Sequence, residues 1–487
     1  MIRFILGLVA VVLGLAFISP MGSLHSEEIS VKEQQFVRKI RQTIDRLNNE
    51  KGLVWKDFDL NCPIVVTFSK KHIYAFGLKS QNPLWQVKND GILFSDVDHW
   101  GVTQVTMQDK FLVDNEEAFV FSIDLNEENS FADRPILVLV HELFHRYQFA
   151  HFKKMEDIGY YSDKLNRENL ALIALEERIL VDFLKIKKEY KLDVLKDYMA
   201  VNLKRQQIMS PSSVHWERFQ QVMEGLADYV SIETFDHFSI LEKFDGHRHL
   251  QFTLSGYIYS EDAQELAVKW SHYGLGATLG KALDFLNVAD WKAQIEEGKA
   301  QGQILKEVLE LSEREVTERS NFAKDFYKYD EIAKEIDVKV TSFTEMVDGL
   351  MAGYEGQEGL VAMIERPRDV GINGGGSSLG IYHLENGTTV SVKDKSFSSA
   401  TDNSWKLELK EIPFLLQNGW GARIIKIDHQ SKIVLDGKVY TLEELCQEKH
   451  EKRFKTLFWD CSTSVFESDR AGKLIVSHEG LEVIFNF

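Results

Sequence analysis

The feature that most constrains this chain is a pair of histidines, His141 and His145, within the largely apolar segment 135–151. On an α-helix, residues i and i+4 lie one turn apart on the same face, so the two imidazoles can bind one metal ion. Glu142 follows the first histidine and would lie close to that ion without binding it. A core helix that carries two hydrogen-bonded histidines would show the same pattern, so both interpretations stay open here.

The residues around this pair predict a helix. Pro135 suits the first turn, where its missing N–H group is not needed, and Asp133 is a candidate N-cap. The run from Ile136 to Val140 is continuously apolar, which indicates a helix that passes through the interior of a domain.

A catalytic metal site needs a third protein ligand, and a second segment contains two carboxylates in helical register. Glu224 lies in the sequence Met-Glu-Gly-Leu-Ala-Asp-Tyr, and Asp228 falls four residues later on the same helical face. Gly225 beside it would let two helices approach closely. A solvated helix face is the alternative for Glu224 alone, but the register with Asp228 and the upstream histidines favours a metal ligand.

These two segments together resemble the gluzincin zinc peptidases, over about residues 130 to 290 and at the level of a clan. The resemblance implies that His141, His145 and Glu224 bind Zn²⁺ and that Glu142 is the catalytic base. It also implies that Asp228 hydrogen-bonds the free ring nitrogen of a histidine ligand.

Residues 270–288 are similar to the Tyr-x-Lys-Gly helix start of aminopeptidase-N-like and glycyl-aminopeptidase-like enzymes. Tyr273 and Gly276 match, whereas Leu275 stands where those families carry lysine. The resemblance implies that the Tyr273 hydroxyl stabilises an oxyanion; His272 is an adjacent alternative donor, and a buried structural tyrosine competes. The Gly-x-Met-Glu-Asn motif of aminopeptidase-N-like enzymes is absent upstream, which argues against aminopeptidase activity.

The first 24 residues indicate export. A short positive start precedes an apolar run from Phe4 to Ile18, which is typical of a signal peptide. No clean cleavage site follows, so an uncleaved N-terminal anchor is the alternative to a signal peptide. Such an anchor would be the only contact with the membrane. The catalytic part is therefore expected outside the cytoplasmic membrane, where Cys446 and Cys461 could form a disulfide and leave Cys62 unpaired.

The net charge of −18 argues against a nucleic-acid partner, because no basic stripe interrupts it. The length of 487 residues predicts two or three domains. Short apolar runs between about residues 60 and 130 predict a small sheet, with a hairpin turn at Asp114-Asn115-Glu116. By analogy with zincins, the segment Phe119–Leu125 is the candidate edge strand for binding a substrate backbone; an ordinary structural strand is the alternative.

Residues from about 131 to 345 predict a helical lobe. One helix is expected over 165–205, with Glu176 and Glu177 as solvated or capping charges, and others near 274–288, 290–312 and 318–335. A break at Ser210-Pro211 would cap the helix that carries Glu224.

From residue 360 onward, hairpin signals dominate. They occur at Asn386-Gly387, Asp436-Gly437 and Glu479-Gly480, and the glycine-rich segment 371–378 is expected to be a loop. Residues 360–487 therefore predict an all-β accessory domain without a catalytic motif.

The predicted fold class is α+β, with a zincin-like domain over residues 25–345 followed by the all-β domain. The predicted function is that of an exported zinc-dependent peptidase acting on a peptide or protein. The alternative is a non-catalytic exported binding protein that works through its β domain; the intact Glu142 disfavours it. A structural zinc site is also disfavoured, because His151 would lie roughly 80° around the helix from His141 and farther from His145.

Overall fold

The chain divides into two compact units in a computed structural model, one built on residues 23–103 and 109–341 and the other on residues 342–487. The predicted export segment, Asp133, Cys446 and Cys461 lie outside the described residues. The structure describes residues 29–69, 71–88, 91–104, 107–123, 134–153, 161, 163, 166–240, 244–256, 268–356, 360–365, 372–375, 381–383, 389–391, 395–399, 405–409, 414–417, 422–427, 432–441, 444–445, 452–460, 464–468, 472–476 and 480–485.

The first unit opens with a helix and a six-stranded sheet. Its elements are α1 (Val31–Asn49), β1 (Ile64–Phe68), β2 (His72–Phe76), β3 (Gln86–Val87), β4 (Leu93–Ser95), β5 (Met107–Val113) and β6 (Glu116–Ile123). The strand order is β3-β4-β2-β1-β6-β5, and β1 runs parallel to β6 and antiparallel to β2. Helix α1 packs on the sheet through Phe36 and Phe68, and its buried Glu33 hydrogen-bonds His72 and Tyr74.

The predicted edge strand is wrong. Strand β6, which contains the described part of Phe119–Leu125, lies between β1 and β5, so β5 forms that edge of the sheet. The apolar pattern of a strand does not specify its neighbouring strands, so the strand order of the sheet could not be predicted from local sequence. The hairpin between β5 and β6 is confirmed, with Asp114 and Asn115 at φ values of 50° and 68°. Residues 102–104, within the segment from which the sheet was predicted, form a 3₁₀ turn instead of a strand.

Helices make up most of the remainder of this unit, and the last of them continues beyond residue 341 into the residues of the second unit. They are α2 (Arg134–His151), α3 (Arg167–Lys185), α4 (Lys191–Gln206), α5 (Pro211–Gln220), α6 (Leu226–Phe238), α7 (Gly246–Gly256), α8 (Val268–Phe285), α9 (Trp291–Glu296), α10 (Gln301–Leu309), α11 (Glu313–Phe326) and α12 (Tyr329–Gly356). Ser210 caps α5 as predicted. The single helix over 165–205 is wrong, because a 3₁₀ turn at Lys188–Tyr190 separates α3 from α4.

The two later helical segments are also divided. Gly298, at a φ of 103°, lies between α9 and α10, and Lys328, at 57°, lies between α11 and α12. A right-handed helix cannot continue through such a backbone conformation. None of the helices within the described residues is long and apolar enough to cross a lipid bilayer.

Glu176 and Glu177 are not the solvated charges that the sequence predicts, since they are 0% and 1% exposed. Glu176 binds Arg205, whose Nε lies 2.7 Å from Oε1, and the same guanidinium binds Glu217 at 2.6 Å. All three side chains are buried between α3, α4 and α5. The partner that makes burial of Glu176 favourable comes from another helix, so local sequence could not indicate it.

The second unit contributes strands in two sheets. These are β7 (Leu360–Glu365), β8 (Ile372–Gly375), β9 (Ile381–His383), β10 (Thr389–Ser391), β11 (Lys395–Ser399), β12 (Trp405–Leu409), β13 (Phe414–Gln417), β14 (Ala422–Ile427), β15 (Lys432–Leu435), β16 (Lys438–Thr441), β17 (Lys452–Phe454), β18 (Leu457–Asp460), β19 (Ser464–Ser468), β20 (Gly472–Val476) and β21 (Gly480–Phe485). The sheet orders are β17-β20-β21-β7-β14-β13-β10-β9 and β16-β15-β18-β19-β12-β11-β8.

The hairpin predicted at Asp436-Gly437 is confirmed, because β15 and β16 pair antiparallel around it. Residues 372–375, expected to be part of a loop, instead form β8, which pairs with β11. At the coarse level, the prediction of a mixed α+β protein with a small sheet is confirmed.

Candidate metal centre

Helix α2 carries the two histidines and is held in place by aromatic packing. Phe144 is fully buried on α2, and its ring centroid lies 5.2 Å from those of Trp55 and Phe58. Because Phe144 precedes His145 directly, this packing fixes the rotation of the helix. His141 is buried and His145 is partly exposed.

The structure brings His141, His145 and Glu224 together. Oε2 of Glu224 lies 3.3 Å from Nε2 of His141 and 3.2 Å from Nε2 of His145. One ligand atom from each residue falls within 4.8 Å of the others, so a single cation could contact all three. The two rings meet edge to face at a centroid distance of 4.6 Å.

Glu224 lies on a π-helical turn, Gln221–Gly225, between α5 and α6. The sequence predicted a regular helix here, because nothing in its pattern distinguishes a π-turn from an α-helix. Single π-turns interrupt the regular hydrogen-bond ladder and occur frequently at functional sites. The turn therefore places Glu224 where a continuous α-helix would not.

The second ring nitrogen of each histidine is also engaged. Nδ1 of His141 lies 2.8 Å from Oδ1 of Asp228, as the resemblance implied, and Nδ1 of His145 lies 2.7 Å from Oε1 of Gln148. With both Nδ1 atoms occupied in this way, each Nε2 faces Glu224. Sequence reasoning missed Gln148, although its position three residues after His145 on the same helix was a usable signal.

The electrostatics of the group suit a bound cation. Burial alone would lower the pKa of His141, but hydrogen bonds to Asp228 and Glu224 raise it to about 10. Burial opposes ionisation of Glu224, yet its contacts with His141 and His145 hold its pKa well below the usual range. The surroundings thus favour positive charge between two imidazole nitrogens and a carboxylate, which is the donor set of a three-ligand zinc site. The residues present fit a divalent metal ion.

Tyr273 borders the same group. Its ring lies parallel to that of His141 at a centroid distance of 5.8 Å, and its hydroxyl hydrogen-bonds Glu224. Burial, together with the charges of Glu224, Asp228 and the partly exposed Glu142, raises the pKa of Tyr273. The hydroxyl therefore keeps its proton at neutral pH.

His272, the alternative donor, does not lie at this group. Its side chain is fully buried on another face of α8, with its ring 5.7 Å from that of Trp216 and Nε2 3.6 Å from Oε1 of Glu217. Burial lowers the pKa of His272 to about 4, so the ring is neutral. Adjacent helical residues point about 100° apart, which explains why Tyr273 reaches the group and His272 does not.

Two further aromatic side chains of α2, Phe149 and His151, follow His145. His151 stacks on Tyr147 at 4.0 Å and does not belong to the candidate metal group. Phe149 is 78% exposed, and its ring centroid lies 6.4 Å from that of His145. An exposed aromatic side chain therefore flanks the candidate centre.

Comparison with known proteins finds no match to this chain among family models, curated proteins or solved structures. The likeness to gluzincins therefore stays a prediction that depends on the residues of the site. What the structure contributes is their arrangement in space.

The π-turn packs directly against α8 through two glycines. A Cβ atom added to Gly225 would lie 2.5 Å from Cα of Gly276, and one added to Gly276 would lie 2.5 Å from the carbonyl oxygen of Gln221. Both distances are far inside van der Waals contact with backbone atoms that cannot rotate away. The close approach predicted for Gly225 is present, and its partner is Gly276.

We expect Gly276→Ala to destabilise the protein by about 1–3 kcal/mol and to weaken metal binding, because the added methyl group would push α8 away from the π-turn. Thermal melting with and without added zinc measures both effects. Gly302→Ala is the matched control, since a Cβ atom there meets no atom within 4 Å and alanine favours the helix. Equal stability and equal zinc response of the two variants would contradict the prediction.

Proposed function

We propose that this protein is a zinc-dependent peptidase of the gluzincin type, with a zincin-like fold in residues 25–345. The observation that carries the proposal is that ligand atoms of His141, His145 and Glu224 lie within 4.8 Å of one another, with both Nε2 atoms facing Oε2 of Glu224. His141 and His145 come from α2 and Glu224 from the π-turn, as in the motif order of that clan. The carboxylate of Glu142 lies beside this group but is not one of the three ligands.

Two imidazole nitrogens and a carboxylate oxygen favour zinc over the hard cations that prefer all-oxygen sites. When bound, zinc would supply Lewis-acid polarisation of a water molecule and of the scissile carbonyl group. His141, His145 and Glu224 would hold it. Asp228 would keep the proton on Nδ1 of His141, so that Nε2 presents its lone pair.

Glu142 would act as the general base. Its carboxylate would accept a proton from the attacking water and then donate that proton to the leaving amine nitrogen. Tyr273, whose raised pKa keeps its hydroxyl protonated, would donate a hydrogen bond to the substrate oxygen as negative charge develops there. Glu142 would thus transfer the proton, and Tyr273 would stabilise the oxyanion.

The proposed substrate is a peptide bound in extended form along β5. This strand is at the edge of its sheet, and Asp109 on it lies 3.2 Å from Arg146, the residue after His145. An edge strand has unpaired backbone groups that can hydrogen-bond an extended chain. Exposed Phe149 would give an apolar contact to a substrate side chain near the scissile bond.

The proposal extends to the rest of the chain. We propose that residues 360–487 form an all-β accessory domain, which is supported by the strand pairing of β7–β21. We also propose export from the cytoplasm, which is supported by the apolar run near the N-terminus.

Elemental analysis of the protein, purified without chelators, tests the metal site. We expect about one zinc ion per chain, and loss of that zinc in Glu224→Ala, because only two ligands would remain. Glu297→Ala, a change of the same residue type at an exposed position, should retain the metal. A protein without zinc, or zinc content that Glu224→Ala does not change, would remove Glu224 from the site.

A further inference from the structure

Gln148 connects the two segments that carry the candidate ligands. It is 1% exposed on α2, and its Oε1 lies 2.7 Å from Nδ1 of His145. Its Nε2 lies 2.8 Å from the carbonyl oxygen of Val222 and 3.0 Å from that of Met223. One buried amide therefore contacts a histidine on α2 and two backbone groups of the π-turn.

The orientation of this amide follows from its partners. Backbone carbonyl oxygens can only accept hydrogen bonds, so the NH₂ group of Gln148 must face Val222 and Met223. The Oε1 atom then faces His145 and can only accept, which requires Nδ1 of His145 to carry the hydrogen. With Nδ1 engaged in this way, Nε2 is the nitrogen of His145 that faces Glu224, at 3.2 Å, and the one left for a metal ion.

The same amide supports the π-turn. A π-turn departs from the regular i→i−4 ladder, and carbonyl groups released in this way need other partners when they are buried. Gln148 supplies hydrogen bonds to the two carbonyl groups immediately before Glu224. The position of the Glu224 backbone therefore depends on the amide that also orients His145.

We propose that Gln148 is a positioning residue that holds the Nδ1–H group of His145 and the shape of the π-turn together, so that Nε2 of His145 is left for the metal. The inference rests on the proposed function in assigning His145 and Glu224 as ligands. It adds that His145 and Glu224 are coupled through the side chain of Gln148. Loss of either the oxygen or the NH₂ group of this amide should therefore disturb both ligands.

Two substitutions separate the halves of the amide. Gln148→Glu keeps an oxygen for His145 but directs a second oxygen at the carbonyl groups of the π-turn. Gln148→Met keeps the approximate shape and removes both sets of hydrogen bonds. Gln35→Glu and Gln35→Met, at an exposed position of α1, are matched controls.

The first measurement is the NMR spectrum of ¹⁵N-histidine-labelled, metal-free protein, which detects hydrogens on the ring nitrogens of His145. We expect a hydrogen on Nδ1 that exchanges slowly with water in the unmodified protein, because Oε1 of Gln148 accepts it, and faster exchange of that hydrogen in Gln148→Met. A wild-type His145 without a protected hydrogen on Nδ1 would overturn the proposal. This readout needs neither metal nor turnover, so it also decides the matter if a variant fails to fold or if no peptidase activity exists.

The second measurement is zinc affinity, by competition with a chromophoric chelator. We expect both Gln148 variants to bind zinc about 10- to 100-fold more weakly than the Gln35 controls, as for other groups that orient metal ligands. Affinities within twofold of the controls would overturn the proposal. If even the unmodified protein binds no zinc, the proposed function fails, whereas the NMR result for the Nδ1 hydrogen of His145 still tests Gln148.

Discussion

Glu142→Gln should leave the fold and the bound zinc unchanged while reducing peptide hydrolysis by roughly 10²- to 10⁴-fold. The amide has nearly the shape of the carboxylate but cannot accept the proton of the attacking water. Glu142 is not among the three grouped ligands, so the metal content should not fall. The measurement is kcat/KM on a peptide that the unmodified protein cleaves, together with zinc content.

Glu297→Gln serves as the control for this change, because Glu297 is exposed and lies outside the metal group. It should retain both turnover and zinc. If Glu142→Gln cleaved the same peptide at a rate close to that of the control, Glu142 would not be the base and the proposed mechanism would be wrong. If Glu142→Gln lost zinc as well, Glu142 would have to be reassigned as a ligand.

Arg205→Met should destabilise the first unit by about 3–5 kcal/mol, because it would leave two buried carboxylates without their cation. Arg205 is fully buried and binds Glu176 through Nε and Nη2 and Glu217 through Nη1 and Nη2. Burial raises the pKa of Glu217, but the adjacent guanidinium of Arg205 outweighs this and lowers it. Chemical denaturation followed by tryptophan fluorescence measures the loss.

Arg178→Met is the matched control, since Arg178 meets Glu335 at 3.5 Å on the surface and such pairs contribute about 0–1 kcal/mol. Adding Glu176→Gln and Glu217→Gln to Arg205→Met should recover part of the loss, because the unpaired charges disappear. An Arg205→Met protein as stable as Arg178→Met would show that the network does not stabilise this unit.

The buried network around Arg205 is also connected to the candidate metal centre. Glu217 lies on α5 two turns before Glu224, and it contacts both Arg205 and His272, which precedes Tyr273. Disturbing these buried charges should therefore displace the π-turn and α8 together. We expect the Arg205→Met protein to bind zinc less tightly, although Arg205 does not touch the metal group.

Several features of the site could be predicted from the sequence because they depend on short spacings. His141 and His145 lie on one helical face since they are four residues apart, and Asp228 stands in the same relation to Glu224. The turn at Asp436-Gly437 is likewise determined within a few residues. These patterns allowed the candidate ligands to be named before their positions in space were known.

Other features depend on partners from distant parts of the chain. The burial of Glu176 requires Arg205 from a different helix, and the interior place of β6 requires pairing with β1 on one side and β5 on the other. The direction of His272, away from the metal group, follows from how α8 packs. Periodicity describes one element at a time, so it cannot predict which elements meet.

The sequence by itself determined which residues are candidate metal ligands, which carboxylate is the candidate base and that the two histidines share one helix. The tertiary structure alone decided that Glu224 lies on a π-turn, that Gly225 and Gly276 allow α8 to approach it, and that Gln148 joins this turn to His145. The physical reason is that donor spacing along a helix is a local property. The distance between donors on two segments depends instead on packing and on buried hydrogen bonds between them.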